Sequence, residues 1–265
     1  MENISITNGT DTYTFPNIGS LEGFEYPEAR VSIEDVAGDK SAIFINSKAG
    51  RRRLSFQSLI PYADRFDIQK VLRLGNTKTL KFTTCDNLNL QCDIEVEKLV
   101  MPYKTGRQVC LIEAVAPDWR FVSQTEHVYE TPETVITGGM AIPAEVPFNL
   151  AGGEGAESYG VNNAGNDYAE PVFRINGPML SCEVKNVTTG ETFEITDTLQ
   201  SDESIEINTQ DKTIVKNETE NAYSTMTSGN FWRLAPGFNY IQFTVVGEDV
   251  DTELRITWRD SYIGI

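Results

Sequence analysis

The sequence specifies a mainly β protein of two domains. The first is a β-barrel-like or sandwich domain with one α-helix, and the second is a β-sandwich of jelly-roll type. Strand-length segments alternating apolar and polar residues recur along the chain, and one stretch near residue 65 has helical periodicity. Between residues 117 and 145 the texture changes to clustered Pro, Gly and Thr. A chain of 265 residues exceeds the usual single-domain range, and 40% hydrophobic residues suffice for a core in each part. The boundary is placed at residue 130, giving domains 1–130 and 131–265.

The early elements are short strands separated by turn residues. In "ARVSIEDV" Val31, Ile33 and Val36 alternate with polar neighbours, "SAIFIN" is a compact apolar run, and "GRRRLSFQSLIPY" carries Leu54, Phe56 and Leu59. The stretch "YADRFDIQKVLRLGN" predicts the one helix. Asp64 can cap it, Ile68, Val71 and Leu72 fall at i, i+3 and i+4, and Gly75 supplies the stop. Strands follow in "KTLKFTT", "CDIEVEKLVMPY" and "QVCLIEAVAP", which predict a sheet with the helix packed on it.

Beyond residue 170 the chain is strand and turn. "LSCEVKNVTTGETFEIT" predicts a hairpin around "TTGE", and "ESIEINTQDKTIVKN" predicts another with a longer turn. Strands continue in "PVFRINGP", "NYIQFTVVG" and "TELRITWR", with no helical period and no fixed internal repeat. In "NFWRLAPGFNYIQF", Pro236 and Gly237 suit a type II turn. After it Tyr240, Gln242 and Thr244 take one face of a strand, and Ile241, Phe243 and Val245 the other.

Charge is divided unevenly. Residues 1–130 hold 15 Lys and Arg against 18 Asp and Glu, net −3, whereas residues 131–265 hold 7 against 21, net −14. This balance argues against binding along a phosphate backbone, which depends on clustered cations. No run approaches the roughly 18 apolar residues of a membrane span, and the start "MENISITNGTDTYTF" lacks the pattern of a secretory signal. The four cysteines, at 85, 92, 110 and 182, form no C-x-x-C pair and are expected as reduced, mostly buried thiols, with no metal site.

Catalytic chemistry finds little support. His127 is the only histidine, nothing near it resembles a nucleophile elbow, and it is expected to be a surface residue. "GGEGAES" imitates a dinucleotide loop without completing the fingerprint, and "EDVDTE" lacks the spacing of a calcium loop. Glu183, Glu194 and Glu206 occupy the polar phase of strands. No catalytic residue, metal or cofactor is assigned. Two candidate surfaces remain. Trp232, Phe238 and Tyr240 could stack on a glycan, with Asn239 and Gln242 bonding hydroxyls. Arg51, Arg52 and Arg53, the one basic cluster, suit a subunit interface.

Six phrases in order, "IEAVAPDWRF", "VNNAGNDYAEPVFRINGP", "VKNVTTGETFEI", "IEINTQDKTIV", "FWRLAPGFNYIQF" and "WRDSYIGI", make the chain resemble the distal tail proteins of long-tailed bacteriophages. The resemblance spans nearly the whole chain. It implies an N-terminal belt domain whose copies form a hexameric ring through which DNA passes without sequence-specific binding. It also implies an outer galectin-like β-sandwich used as an attachment platform for baseplate or receptor-binding proteins. The protein would then be a structural virion component of the tail tip, not an enzyme, bound to the tail tube protein and its baseplate neighbours. The alternative is a module recognising a host surface glycan. With no room for a long inserted arm in 265 residues, the compact form is expected.

Overall fold

The computed structural model describes residues 2–35, 42–102, 106–131, 158–247 and 252–265. The chain divides into two compact units, Met1–Thr125 with Ser261–Ile265, and Glu126–Asp260. The loop "GGEGAES" up to Glu157, the 132–145 part of the Pro/Gly/Thr-rich boundary, and Asp249 and Asp251 of "EDVDTE" lie outside the described residues.

In the N-terminal unit the early strands are β1 (Glu2–Thr7), β2 (Thr12–Phe15), β3 (Ile18–Glu22), β4 (Ala29–Asp35), β5 (Ala42–Ala49) and β6 (Arg52–Pro61). A 3-10 turn (Tyr62–Asp64) and helix α1 (Arg65–Val71) follow, then β7 (Lys78–Thr83), β8 (Asn89–Val100), β9 (Arg107–Ala116) and β10 (Phe121–Ser123). The main sheet runs β2-β1-β7-β8-β9-β6-β3, with β10 beside β8. The sheet curls around its core, where Phe15 of β2 packs edge-on against Phe56 of β6 at 5.1 Å. Inward residues such as Ile4, Ile6, Leu54, Phe56, Ile60, Leu80, Phe82 and Ile112 fill the interior. Each such side chain contributes about 1.5–3 kcal/mol.

The helix forms where its apolar spacing predicts, with Ile68 and Val71 buried. Its caps are made differently. Asp64 stands at the N-cap without a capping bond, and its carboxylate instead accepts the Tyr13 hydroxyl at 2.7 Å. Burial, then the bond to Asp64, pushes the Tyr13 phenol well above its ordinary pKa. At the other end Asn8 donates Nδ2 to the carbonyls of Lys70 and Val71, at 3.4 and 3.3 Å, supplying partners for the last turn.

The C-terminal unit contains β11 (His127–Glu130), β12 (Ser158–Asn163), β13 (Val172–Asn176), β14 (Met179–Asn186), β15 (Thr192–Leu199) and β16 (Ser204–Asn208). It continues with β17 (Thr213–Lys216), β18 (Glu220–Asn221), β19 (Met226–Gly229), β20 (Gly237–Val246) and β21 (Glu253–Trp258). One sheet runs β11-β21-β13-β16-β17-β18 and the other β12-β20-β14-β15-β19. Side chains from both meet in one core, with Phe173 and Ile207 from the first and Val184, Phe193 and Ile241 from the second. This is the expected sandwich. Both predicted hairpins form, β14 with β15 and β16 with β17. In the first, Asn186 Oδ1 accepts the amides of Thr188 and Thr189, at 3.0 and 3.3 Å, and so shapes the turn.

After β21 the chain adds β22 (Ser261–Tyr262), which pairs with β10 in the N-terminal unit. Arg52 lies at the centre of this closure. Its side chain is buried, and its guanidinium donates to the carbonyls of Trp119 (2.8 Å), Gly23 (2.7 Å), Glu25 (2.7 Å) and Ile263. It also lies over the Phe121 ring at 4.2 Å. Burial pulls its pKa below the ordinary arginine value, and the four carbonyls offset that cost. Gly23 has φ +84°, and a Cβ there would lie 1.8 Å from the Arg53 carbonyl oxygen, so only glycine lets this loop approach β6.

Arg52→Met removes the donor shared by four carbonyls. Each bond to a charged group is worth about 1.5–3 kcal/mol, so a loss of at least about 3 kcal/mol is expected in chemical denaturation. A loss below about 0.5 kcal/mol, the cost of an ordinary surface change, would contradict this role.

Candidate functional site

The aromatic turn is built from both ends. Gly237 takes φ +89°, as the third position of a type II turn requires. Asn239, fully buried, holds the turn closed. Its Nδ2 donates to the carbonyls of Ala235 (2.8 Å) and Gly237 (3.0 Å), and its Oδ1 accepts the Ala235 amide and Asn186 Nδ2, both at 3.0 Å. All its bonding capacity is spent inside the protein. It therefore has nothing left for a sugar hydroxyl, contrary to the sequence-based expectation.

Trp232 requires the same correction. It is 1% exposed and packs edge-on against Phe173 at 4.7 Å and over Phe193 at 6.0 Å, as part of the sandwich core. A ring in this position cannot stack on a ligand. Leu234 follows it into the core through a bridge to Ala169, which explains why the segment draws inward. Phe238 and Tyr240 do face solvent, at 64% and 52% exposure, and Gln242 shares their phase along β20. Tyr240 is opposite Gly160 on β12, and its ring would lie 3.7 Å from a Cβ at that glycine. Part of its aromatic surface thus covers bare backbone. The platform is reduced to two residues on one strand.

The basic cluster separates as its alternation dictates. Arg52 points inward and is committed to the four carbonyls, so it is not available to a subunit interface. Arg51 and Arg53 are exposed and line a groove of about 590 Å³ with Glu22, Glu25, Glu28 and Arg30. They remain the accessible members of the predicted interface set.

His127 is more constrained than a free surface residue. Its ring stacks on Trp258 at 5.4 Å, and Nε2 lies 3.0 Å from Asp260 Oδ2, while Asp260 Oδ1 accepts the Ala164 amide at 3.0 Å. The arrangement fastens β11 to the end of β21. Among the described residues no group of three or more His, Cys, Asp or Glu is placed to hold a metal. Cys92, Cys110 and Cys182 are buried, whereas Cys85 is exposed. Burial pushes the thiols of Cys92 and Cys182 up to about 12, and that of Cys110 up to about 11.

Residues 164–262 match the family model described as siphovirus-type tail component, C-terminal domain. The matched stretch covers most of the C-terminal unit. Among solved structures, the chain shares its fold with the SPP1 Dit protein, described as a paradigm of hub adsorption apparatus in Gram-positive infecting phages. That likeness has a TM-score of 0.67 at 10% identity and covers 97% of this chain and 98% of that one. Structures of the phage P2 baseplate in its activated conformation, with Ca and with Sr, match at TM-scores of 0.47 and 0.46. Each is 12% identical and covers 96% of this chain and 97% of the other. No curated protein was found to match. No helix among the described residues is long and apolar enough to cross a membrane.

Two tests separate structural from surface roles. Asn239→Ala strands the turn's polar groups and should cost about 1–3 kcal/mol, whereas Phe238→Ala should stay within about 0.5 kcal/mol. Equal costs in urea unfolding would contradict the assignment. Of the four cysteines, Cys85 alone should react rapidly with a thiol reagent at pH 8 in the native state, because the three raised thiols carry almost no thiolate there. Rapid modification of Cys92 or Cys182, read by peptide mass mapping, would contradict their burial.

Proposed function

We propose that this chain is a structural hub at the distal end of a siphophage tail. In this reading copies close into a hexameric ring through their N-terminal units. The ring joins the tail tube to the tail tip or baseplate and lets DNA pass without sequence-specific contact. The C-terminal sandwich serves as the attachment platform for host-adsorption proteins. The protein resides in the virion, and the role calls for no catalysis and no cofactor.

The observation that carries the reading is the fold shared with SPP1 Dit along 97% of this chain, in a protein whose C-terminal part matches a tail component family. The charge division supports it. A nearly neutral N-terminal part lets like subunits meet without strong repulsion, while a net −14 concentrated after residue 130 favours solubility. Glycan recognition is not favoured, since Trp232 and Asn239 are both committed to the core.

Gold-labelled antibody against the C-terminal sandwich, applied to purified phage particles, should mark one end of the tail, opposite the head. Label distributed along the tail, or particles that carry none of the protein, would contradict the reading.

A further inference from the structure

The sequence contains two Asn-Gly pairs, Asn8-Gly9 and Asn176-Gly177. In an Asn-Gly pair the side-chain amide is open to attack by the next backbone nitrogen, because glycine has no Cβ to hinder the approach. The two pairs stand in opposite settings. Asn176 ends β13, the strand between β16 and β21, and is opposite both Ser204 and Glu253. The Gly177 amide donates to the Glu203 carbonyl at 3.0 Å, and a Cβ on Gly177 would lie 2.2 Å from the Gln200 carbonyl oxygen. Attack there would have to open packed backbone between two strand pairings. Gly9 lies in the turn from β1 to β2, at one end of the main sheet. Its φ is +89°, and a Cβ there would meet nothing within 4 Å.

What restrains Asn8 is its own side chain. Oδ1 accepts the amides of Thr10 (3.1 Å) and Asp11 (2.8 Å), while Nδ2 reaches the Lys70 and Val71 carbonyls at the end of α1. The last two bonds, at 3.4 and 3.3 Å, are long for an amide donor. The Gly9 amide itself donates to Thr7 Oγ1 at 3.3 Å, in exposed surroundings. A second tie between this turn and the helix, the Lys70–Asp11 ion pair at 2.7 Å, lies at the surface, where such pairs contribute little. Exposed hydrogen bonds at a turn open for far less than the free energy of global unfolding. The lock on Asn8 is therefore local, and the helix end is half of it.

We propose that Asn8-Gly9 is a deamidation site gated by the docking of α1. When the carboxamide leaves the Lys70 and Val71 carbonyls, the Gly9 nitrogen, its proton taken by hydroxide, attacks Asn8 Cγ. A C–N bond forms, the side-chain nitrogen departs as ammonia with a proton from water, and a five-membered cyclic imide remains. Water opens the imide at either carbonyl. One product is aspartate, and the other is isoaspartate, with the main chain rerouted through the side-chain carbon. Either product lacks the Nδ2 donor and brings a carboxylate towards the last carbonyls of the helix, which already carry negative partial charge. The reaction is thus a one-way release of the last turn of α1.

Peptide mass mapping of the full chain held at pH 8, folded and in guanidinium chloride, gives a conversion rate for each asparagine in each state. Comparing each site with itself removes the effect of the neighbouring sequence. The ratio of unfolded to folded rate should be at least about tenfold larger for Asn176 than for Asn8. Equal ratios, a larger ratio for Asn8, or a folded chain in which neither site converts over many unfolded half-lives overturns the inference. Asn8→Asp supplies the product directly. In hydrogen exchange read by mass spectrometry, residues 65–72 of this variant should exchange at least about tenfold faster than in the wild-type chain, while residues 89–96 of β8 keep their protection. Unchanged exchange across residues 65–72 overturns the coupling to α1.

Discussion

The closure of the N-terminal unit depends on one buried guanidinium. Arg52 gathers carbonyls from the loop after β3, from the turn before β10 and from the chain's last residues, and stacks on Phe121. Arginine suits this position because its planar fork presents several donors in fixed directions and stays charged when desolvated. A lysine could reach only some of these partners. Removing the donor would leave these carbonyls without their charged partner, which costs stability. The segment Ser261–Ile265 is therefore an integral part of a unit whose other residues end at Thr125.

That constraint separates what is structural from what is free to bind. In "RRR" the middle residue is buried and bonded to four carbonyls, while its two neighbours are exposed. In "NFWRLAPGFNYIQF" Trp232 and Asn239 belong to the core, while Phe238 and Tyr240 face outward. Both motifs read as binding surfaces by composition, and both are largely architecture. The surfaces left over are apolar strand faces, which suit an assembly protein better than a small-molecule site.

Period-two alternation made most of the fold legible. The helix at residues 65–71, both C-terminal hairpins and the phase of β20 follow from local pattern and turn chemistry. The helix caps were not legible, because Asp64 is drawn to Tyr13 and Asn8 arrives from far along the chain. Nor was the return of the C-terminal segment to β10, since strand pairing over such a separation leaves no local trace. Leu59 shows the limit of reading apolar residues as core. Ile60 takes the inward phase of β6, and Leu59 is left outside. The two-stranded ribbon of β4 and β5 is the converse case. Its alternation was visible in "ARVSIEDV", but only the structure shows that nothing among the described residues covers its apolar side.

The central claim is that identical copies build a hub. Class averages from electron microscopy of the purified protein, with native mass measured on the same sample, test it most directly. The account predicts closed rings of one copy number with a central opening wide enough for a DNA duplex. Open filaments, or closed particles without a central opening, would contradict it.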